Sequence, residues 1–193
     1  RDTGLKTITV AQDQTVKILD PHDTNQVVAF NAQAQIFTTL VARDKDLRFI
    51  GGLAESWRTI SDTEWEFKLR RGVKWHDGSD FTAEDVIFSI RRQQGIARNS
   101  YRVASIESID AVDPYTLRIR TKGPDGTLLV NLSGTASSIL TKKAVTELGD
   151  DFKKKPIGTG PMRVVEWVEN ERLVLEKNKD YFLDVSSYAD RLI

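Results

Sequence analysis

From Glu64 to Leu69 the chain reads Glu-Trp-Glu-Phe-Lys-Leu, a strict alternation that predicts a half-buried antiparallel strand. The same period of two appears at Lys6–Ala11, predicting a first strand, and at Thr116–Arg120. The latter forms the second arm of a hairpin that begins near Ile106 and turns at Asp113-Pro114-Tyr115. A last hairpin is predicted from Met162–Val168 and Arg172–Lys177, turning at Glu169-Asn170-Glu171. Thr15–Leu19 reads as a short extended piece ended by Asp20-Pro21, because proline disfavours helix in the residue before it.

Helical spacing fills the gaps between these strands. Asp23 or Thr24 is placed to cap a helix running to about Val41, with Val28, Ala32, Gln35, Ile36 and Leu40 near one face. Val73-Lys74-Trp75 extends beyond Gly72 into the turn pair Asp77-Gly78. Thr82-Ala83-Glu84-Asp85 then has a hydroxyl followed three residues later by an acid, the signature of a helix start. The helix it opens points Val86, Ile87 and Ile90 inward and runs out near Gly95. Shorter helices are expected at Asp125–Leu132 and at Lys142–Leu148, the second stopped by Gly149, with Ile139-Leu140 extended between them. Lys153-Lys154-Lys155-Pro156 has the composition of a solvated linker. Interleaved helices and antiparallel hairpins define an α+β chain with mixed, largely antiparallel sheets. No internal repeat or low-complexity segment interrupts it.

Composition narrows the functional classes. The 193 residues are enough for one large domain or two small ones. Twenty-eight Lys plus Arg balance 28 Asp plus Glu, so the broad basic field that a nucleic acid or an anionic membrane would need is lacking. There is no cysteine, which removes disulfides, thiolate metal sites and a cysteine nucleophile. No apolar run approaches the ~20 residues of a membrane span. Arg1-Asp2-Thr3-Gly4 lacks the apolar core of a signal peptide, which leaves the compartment open at this point.

Candidate chemistry is sparse. His22 and His76 each stand beside an aspartate, but neither pair has the ligand spacing of a metal site, and turn hydrogen bonding is the expected role of the acid. No Gly-x-Ser-x-Gly elbow occurs, and Leu132-Ser133-Gly134 reads as a polar loop. Glu84-Asp85 suits a helix N-terminus without invoking catalysis. Gly158-Thr159-Gly160-Pro161 lacks the Gly-Lys-Ser/Thr end of a phosphate loop, so its glycines are expected to supply positive φ in a tight turn. Trp57, Trp65, Trp75 and Trp167 lie in or beside strand-like stretches, and most are expected in the core. No catalytic residue, no metal site and no cofactor are expected.

Several of these segments together resemble a known family. Leu53-Ala54-Glu55-Ser56-Trp57 is one, and Leu69-Arg70-Arg71-Gly72-Val73-Lys74-Trp75-His76-Asp77-Gly78 followed by Phe81-Thr82-Ala83-Glu84-Asp85-Val86 is another. Leu19-Asp20-Pro21-His22, Val112-Asp113-Pro114-Tyr115-Thr116-Leu117, Pro156-Ile157-Gly158-Thr159-Gly160-Pro161 and Asn178-Lys179-Asp180-Tyr181-Phe182 complete the set. In this order they resemble the family 5 extracellular solute-binding proteins, the dipeptide-, oligopeptide- and nickel-binding group. One departure is Met162, where that family usually has an aromatic residue after the Gly-Thr-Gly-Pro turn.

The resemblance implies a partial periplasmic-binding-protein-like fold of class II, peptide-binding type. It implies the substrate-binding component of an ABC importer, a monomer that captures a small solute or peptide and hands it to a membrane permease. The place would be the periplasm, or the outside of a Gram-positive cell by a lipid anchor. The family's proteins are longer and have two lobes, so the chain is expected to be an N-terminal fragment that lacks the opposite lobe and binds solute poorly alone. By the same resemblance, residues 1–37 and 157–193 form a partial ligand-binding lobe and residues 38–156 an inserted α+β domain. The segment after the Leu-Asp-Pro-His element, Asn25, Gln26 and Val27, would lie beside a bound peptide, and Tyr101 would add an aromatic contact from a loop. The rival readings are a hydrolase with a dispersed triad and a scaffold without a small ligand.

Overall fold

A computed structural model describes residues 4–12, 14–183 and 189–193. The alternating segments build its middle sheet. β1 (Thr7–Ile8), α1 (Val27–Ile36), β2 (Val41–Arg43) and β3 (Phe49–Gly51) come first, followed by β4 (Ala54–Ser61) and β5 (Glu64–Leu69). After α2 (Ala83–Gly95) come β6 (Ile106–Asp113) and β7 (Thr116–Thr121). The four-stranded order is β4-β5-β7-β6, every pair antiparallel. Phe67 stands opposite Trp57 and Leu117, and Glu66 stands opposite Arg58 and Arg118. One face is therefore apolar and the other an ion-pair ladder. Glu66 accepts from both arginines, and hydrogen bonding to Arg58 above all holds its carboxyl below the usual range.

Helix α2 covers the apolar face. The Asp85 carboxylate accepts the Thr82 N–H at 3.2 Å, the return half of a capping box, as the residue pattern predicts. Val86 and Ile90 are buried with Phe67, Leu69, Leu117 and Ile119, whereas Ile87 is only half-buried. The inward face of α2 is not purely apolar, because Asp85, Ser89 and Gln93 are buried too. Ser89 Oγ accepts the Leu140 N–H at 2.8 Å, and Asp85 accepts the Lys142 N–H at 3.0 Å. This polar stripe satisfies the chain that enters α4 (Lys142–Leu148), which follows α3 (Leu128–Leu132).

A second core lies around α1. Val28, Ala29, Ile36 and Phe37 pack with Val16, Leu19, Leu140, Ala144, Phe152, Met162 and Leu175. Its sheet has the order β1-β10-β9-β8, with β8 (Met162–Val168), β9 (Arg172–Lys177) and β10 (Arg191–Leu192). The β8–β9 and β9–β10 pairs are antiparallel, and β1 runs parallel to β10. Asn170 has φ 62° in the turn predicted between β8 and β9.

Several boundaries differ from those the sequence predicts. The strand expected over Lys6–Ala11 is confined to Thr7–Ile8. Thr15–Leu19 forms no strand, yet Val16 and Leu19 are buried. Helix α1 begins at Val27, because the Thr24 hydroxyl caps a local turn by accepting the Gln26 N–H. It ends at Ile36 and not near Val41, because the Thr39 and Leu40 carbonyls accept the Leu53 and Ala54 N–H groups and need an extended chain. Asp125 accepts from the Thr127 N–H and hydroxyl in a turn, which delays α3 to Leu128. Ile139-Leu140 joins no ladder, although the Ile139 N–H reaches the Thr38 carbonyl. Lys153 closes a 3₁₀ turn (Gly149–Lys153) at the start of the expected linker. Of the four tryptophans Trp75 is fully buried, whereas Trp57, Trp65 and Trp167 are half-buried at the core margins. Among the described residues no helix is long and apolar enough to cross a membrane.

Candidate ligand-binding face

The loop before α1 carries a dense polar network. Asp20 is buried and holds Arg92 of α2 through both carboxylate oxygens, at 3.2 and 2.5 Å. The same carboxylate accepts the His22 N–H at 3.0 Å, the turn role expected of it. The His22 ring is fully buried, with Nε2 2.9 Å from the Ser138 carbonyl, so Nε2 carries the proton of the neutral ring. Burial lowers its pKa to about 4, despite the opposing pull of Asp20.

That shift sets a pH dependence. The unfolded imidazole protonates near pH 6.5, whereas the folded one stays neutral down to about pH 4. Stability is therefore full above pH 6.5 and falls with pH until the loss is complete below about 4. The His22 share is on the order of 3 kcal/mol. Asp85, raised by burial, acts with the opposite sign, so the contrast with His22→Gln isolates the histidine. Urea titrations between pH 7 and 4 should show a shallower loss in that variant, and an unchanged slope would refute the assignment.

Next in the chain are the four residues expected to meet a ligand. Asn25 and Val27 are exposed, Val27 to 74%, and Tyr101 is 63% exposed on the 3₁₀ turn Ser100–Val103. Gln26 is half-buried, and its Oε1 accepts the Lys17 N–H at 3.4 Å. The two groups are brought together by Arg98 and Asn99, which sequence reading passed over. Arg98 donates to Asn25 Oδ1 at 3.3 Å and stands 3.8 Å from Asp23. The buried Asn99 side chain donates to the carbonyls of His22 and Thr24, at 3.0 and 3.1 Å. The Arg102 guanidinium lies 5.1 Å from the Tyr101 ring centre. Helix α1 starts here with no side-chain cap and no acid in its first turn, and its Ala29 N–H donates to the Gln26 carbonyl at 3.1 Å.

On the other side of α1, His76 and the Gly-Thr-Gly-Pro turn form one unit. The His76 N–H donates to the Gly158 carbonyl at 2.9 Å, and Nδ1 accepts the Gly158 N–H at 3.2 Å. Nε2 stands 3.0 Å from the Gly160 carbonyl and donates to it. Burial lowers the His76 pKa, in keeping with an acceptor Nδ1. The turn lies against the end of α1, where the Gly160 N–H reaches the Ile36 carbonyl at 2.8 Å. Neither Gly158 nor Gly160 is among the positive-φ residues, which corrects the sequence expectation. A Cβ on Gly158 would sit 1.9 Å from the Ile36 carbonyl oxygen, so close backbone approach is what requires glycine there.

Other chemistry is thin. Among the described residues no three His, Cys, Asp or Glu side chains gather as a metal would need. A depression on the outer face of the middle sheet is lined by Glu64, Arg118 and Arg120. Arg118 and Arg120 both pair with Glu64, which makes it a solvated charged surface and not a solute pocket.

Residues 48–193 match the family model described as bacterial extracellular solute-binding proteins, family 5 Middle, and the chain belongs to that family. The glutathione-binding protein GsiB of Pectobacterium atrosepticum is 32% identical over 181 residues, 92% of this chain and 35% of that protein. The solved structure of MoaA from A. tumefaciens R10 with mannopinic acid is 34% identical with a TM-score of 0.85, covering 92% of this chain and 38% of that one. Haemophilus influenzae OppA in complex with RPPGFSPFR is 26% identical with a TM-score of 0.88, covering 97% and 41%. The fold is thus the family's α+β fold, and the chain spans about a third of the length of the curated relatives it matches.

Proposed function

We propose that the protein is the solute-binding component of an ABC importer and that Asn25, Gln26, Val27 and Tyr101 touch the solute. The carrying observation is the joint exposure of the Val27 and Tyr101 side chains, on the first turn of α1 and on a 3₁₀ turn, with Asn99 tying that 3₁₀ turn to the loop before α1. One relative is named for glutathione, and two similar structures hold mannopinic acid and a peptide, which favours a small solute with amide or carboxylate groups. The reaction is binding without a covalent step, by a monomer that passes its cargo to a permease. It takes place in the periplasm, or outside a Gram-positive cell with the protein held by a lipid anchor.

In this reading, residues 1–37 and 157–193 form part of a ligand-binding lobe and residues 38–156 an inserted domain. Two observations support it: the β1-β10-β9-β8 sheet draws only on the flanking residues, and the β4-β5-β7-β6 sheet only on the middle ones. A heteronuclear NMR titration with reduced glutathione and with the tetrapeptide Ser-Thr-Ser-Ala tests the site. Shifts are expected at Asn25–Val27 and Tyr101, with at least ~tenfold weaker binding in Val27→Asp. Recovery of the peptide uncleaved separates binding from hydrolysis. Shifts confined to other residues, or undiminished binding by Val27→Asp, would sink the assignment.

A further inference from the structure

Asn99 occupies a position that neither fold nor motif explains. It is 3% exposed, and its amide nitrogen faces three backbone carbonyls, Pro21 at 3.5 Å, His22 at 3.0 Å and Thr24 at 3.1 Å. The amide has two hydrogens, so the two shorter contacts take them. Three carbonyls in one direction also fix which end of the side chain is nitrogen, since an oxygen there would be repelled. Its own backbone carbonyl accepts Gln93 Nε2 at 3.2 Å, and that same nitrogen stands 3.1 Å from Ser137 Oγ. Asn99 is thereby tied to α2 on one side and to the loop preceding Asn25 on the other. Tyr101 follows two residues later, and Arg98, one residue earlier, holds Asn25.

We propose that Asn99 is the positioning residue of the solute site: its amide sets the Pro21–Thr24 carbonyls inward, which presents Asn25–Val27 and Tyr101 together as one face. This rests on the reading that those residues meet the solute. The chemistry is specific to a side chain with two donors on one atom. Aspartate has the same shape but offers oxygen to the carbonyls, and serine or alanine cannot span both. Protonation of an aspartate at this position restores one donor, and the surrounding carbonyls push its pKa upward. Acidic solution should therefore repair Asn99→Asp in part, which a plain packing defect would not show.

Hydrogen exchange in the chain tests the proposal without any ligand. In Asn99→Asp at pH 7, amides of residues 23–28 and 100–103 should exchange about tenfold faster, while those of β5 and β7 keep their protection. At pH 5 the difference from the unsubstituted protein at the same pH should shrink. Asn99→Ala, the companion if Asn99→Asp fails to fold, should show the same local loss without the pH repair. Unchanged exchange at residues 23–28, or an equal rise across the whole chain, would overturn the proposal. A Val27→Asp variant that still binds glutathione or Ser-Thr-Ser-Ala normally, with the local exchange effect of Asn99→Asp intact, would instead remove the solute reading and leave the positioning role standing.

Discussion

Replacing Arg92 with alanine should cost about 3–5 kcal/mol of folding free energy, the range for removing one partner of a buried ion pair. The reason lies with the group left behind. The Asp20 side chain is 1% exposed, against 20% for Arg92, so water cannot take over from the lost guanidinium. Among the described residues the other hydrogen bond to the Asp20 carboxylate, from the His22 N–H, comes from a neutral donor. Arg92→Ala should lower the urea midpoint with an unchanged slope. Combining it with Asp20→Asn should recover part of the loss, because the buried charge is then gone. A loss below ~1 kcal/mol, the range of a surface pair, would show that Asp20 finds solvent after all.

Gly158→Ala should destabilise by about 3 kcal/mol or more, at the upper end of the cost of overpacking. The new Cβ would stand 1.9 Å from the Ile36 carbonyl oxygen and 2.8 Å from its carbon, both backbone atoms. Relief requires moving the turn away from α1, which breaks the Gly160–Ile36 hydrogen bond and the contacts with His76. Gly160→Ala, with its Cβ 2.4 Å from the Gln35 carbonyl oxygen, should behave alike. Gly126→Ala meets nothing within 4 Å and serves as the control, with an expected change within ~0.5 kcal/mol. Denaturation midpoints of the three variants decide the matter. A Gly158→Ala protein as stable as the control would mean that the turn can retreat at little cost.

What the sequence made legible was whatever is decided within a few residues. Alternation located β5 and β7, the turn at Glu169-Asn170-Glu171 located the β8–β9 hairpin, and Thr82 with Asp85 located the start of α2, because pleat, turn and capping are local. The end of α1 was not legible, since Thr39 and Leu40 leave the helix to serve Leu53 and Ala54, partners more than ten residues away. The glycines of the Gly-Thr-Gly-Pro turn were seen as a turn, but their cause is a distant helix terminus that no window around residue 158 contains. His76 likewise carries no mark of its partner 82 residues on. One signal was available and unused: Asp85, Ser89 and Gln93 recur at intervals of four on α2, a polar stripe on a face that otherwise packs. The four residues proposed to meet a solute came from family resemblance, and Arg98 and Asn99, which bond Asn25 and the loop before it, had no local pattern to announce them.

The placement of β10 between β1 and β9 governs the order in which the chain can assemble. Backbone partners for Thr7 and Ile8 are supplied by Arg191 and Leu192, so that pairing closes a span of more than 180 residues. The hairpins of the middle sheet close spans of a few residues each. Loop entropy grows as the logarithm of length, which sets the long closure about 2–3 kcal/mol behind a ten-residue one. On a ribosome the difference is sharper still. Strand β1 emerges before β10 and finds no place beside it until more than 180 further residues have followed, by which time β4–β7 and α2 are present to act as the template on which the two strands meet.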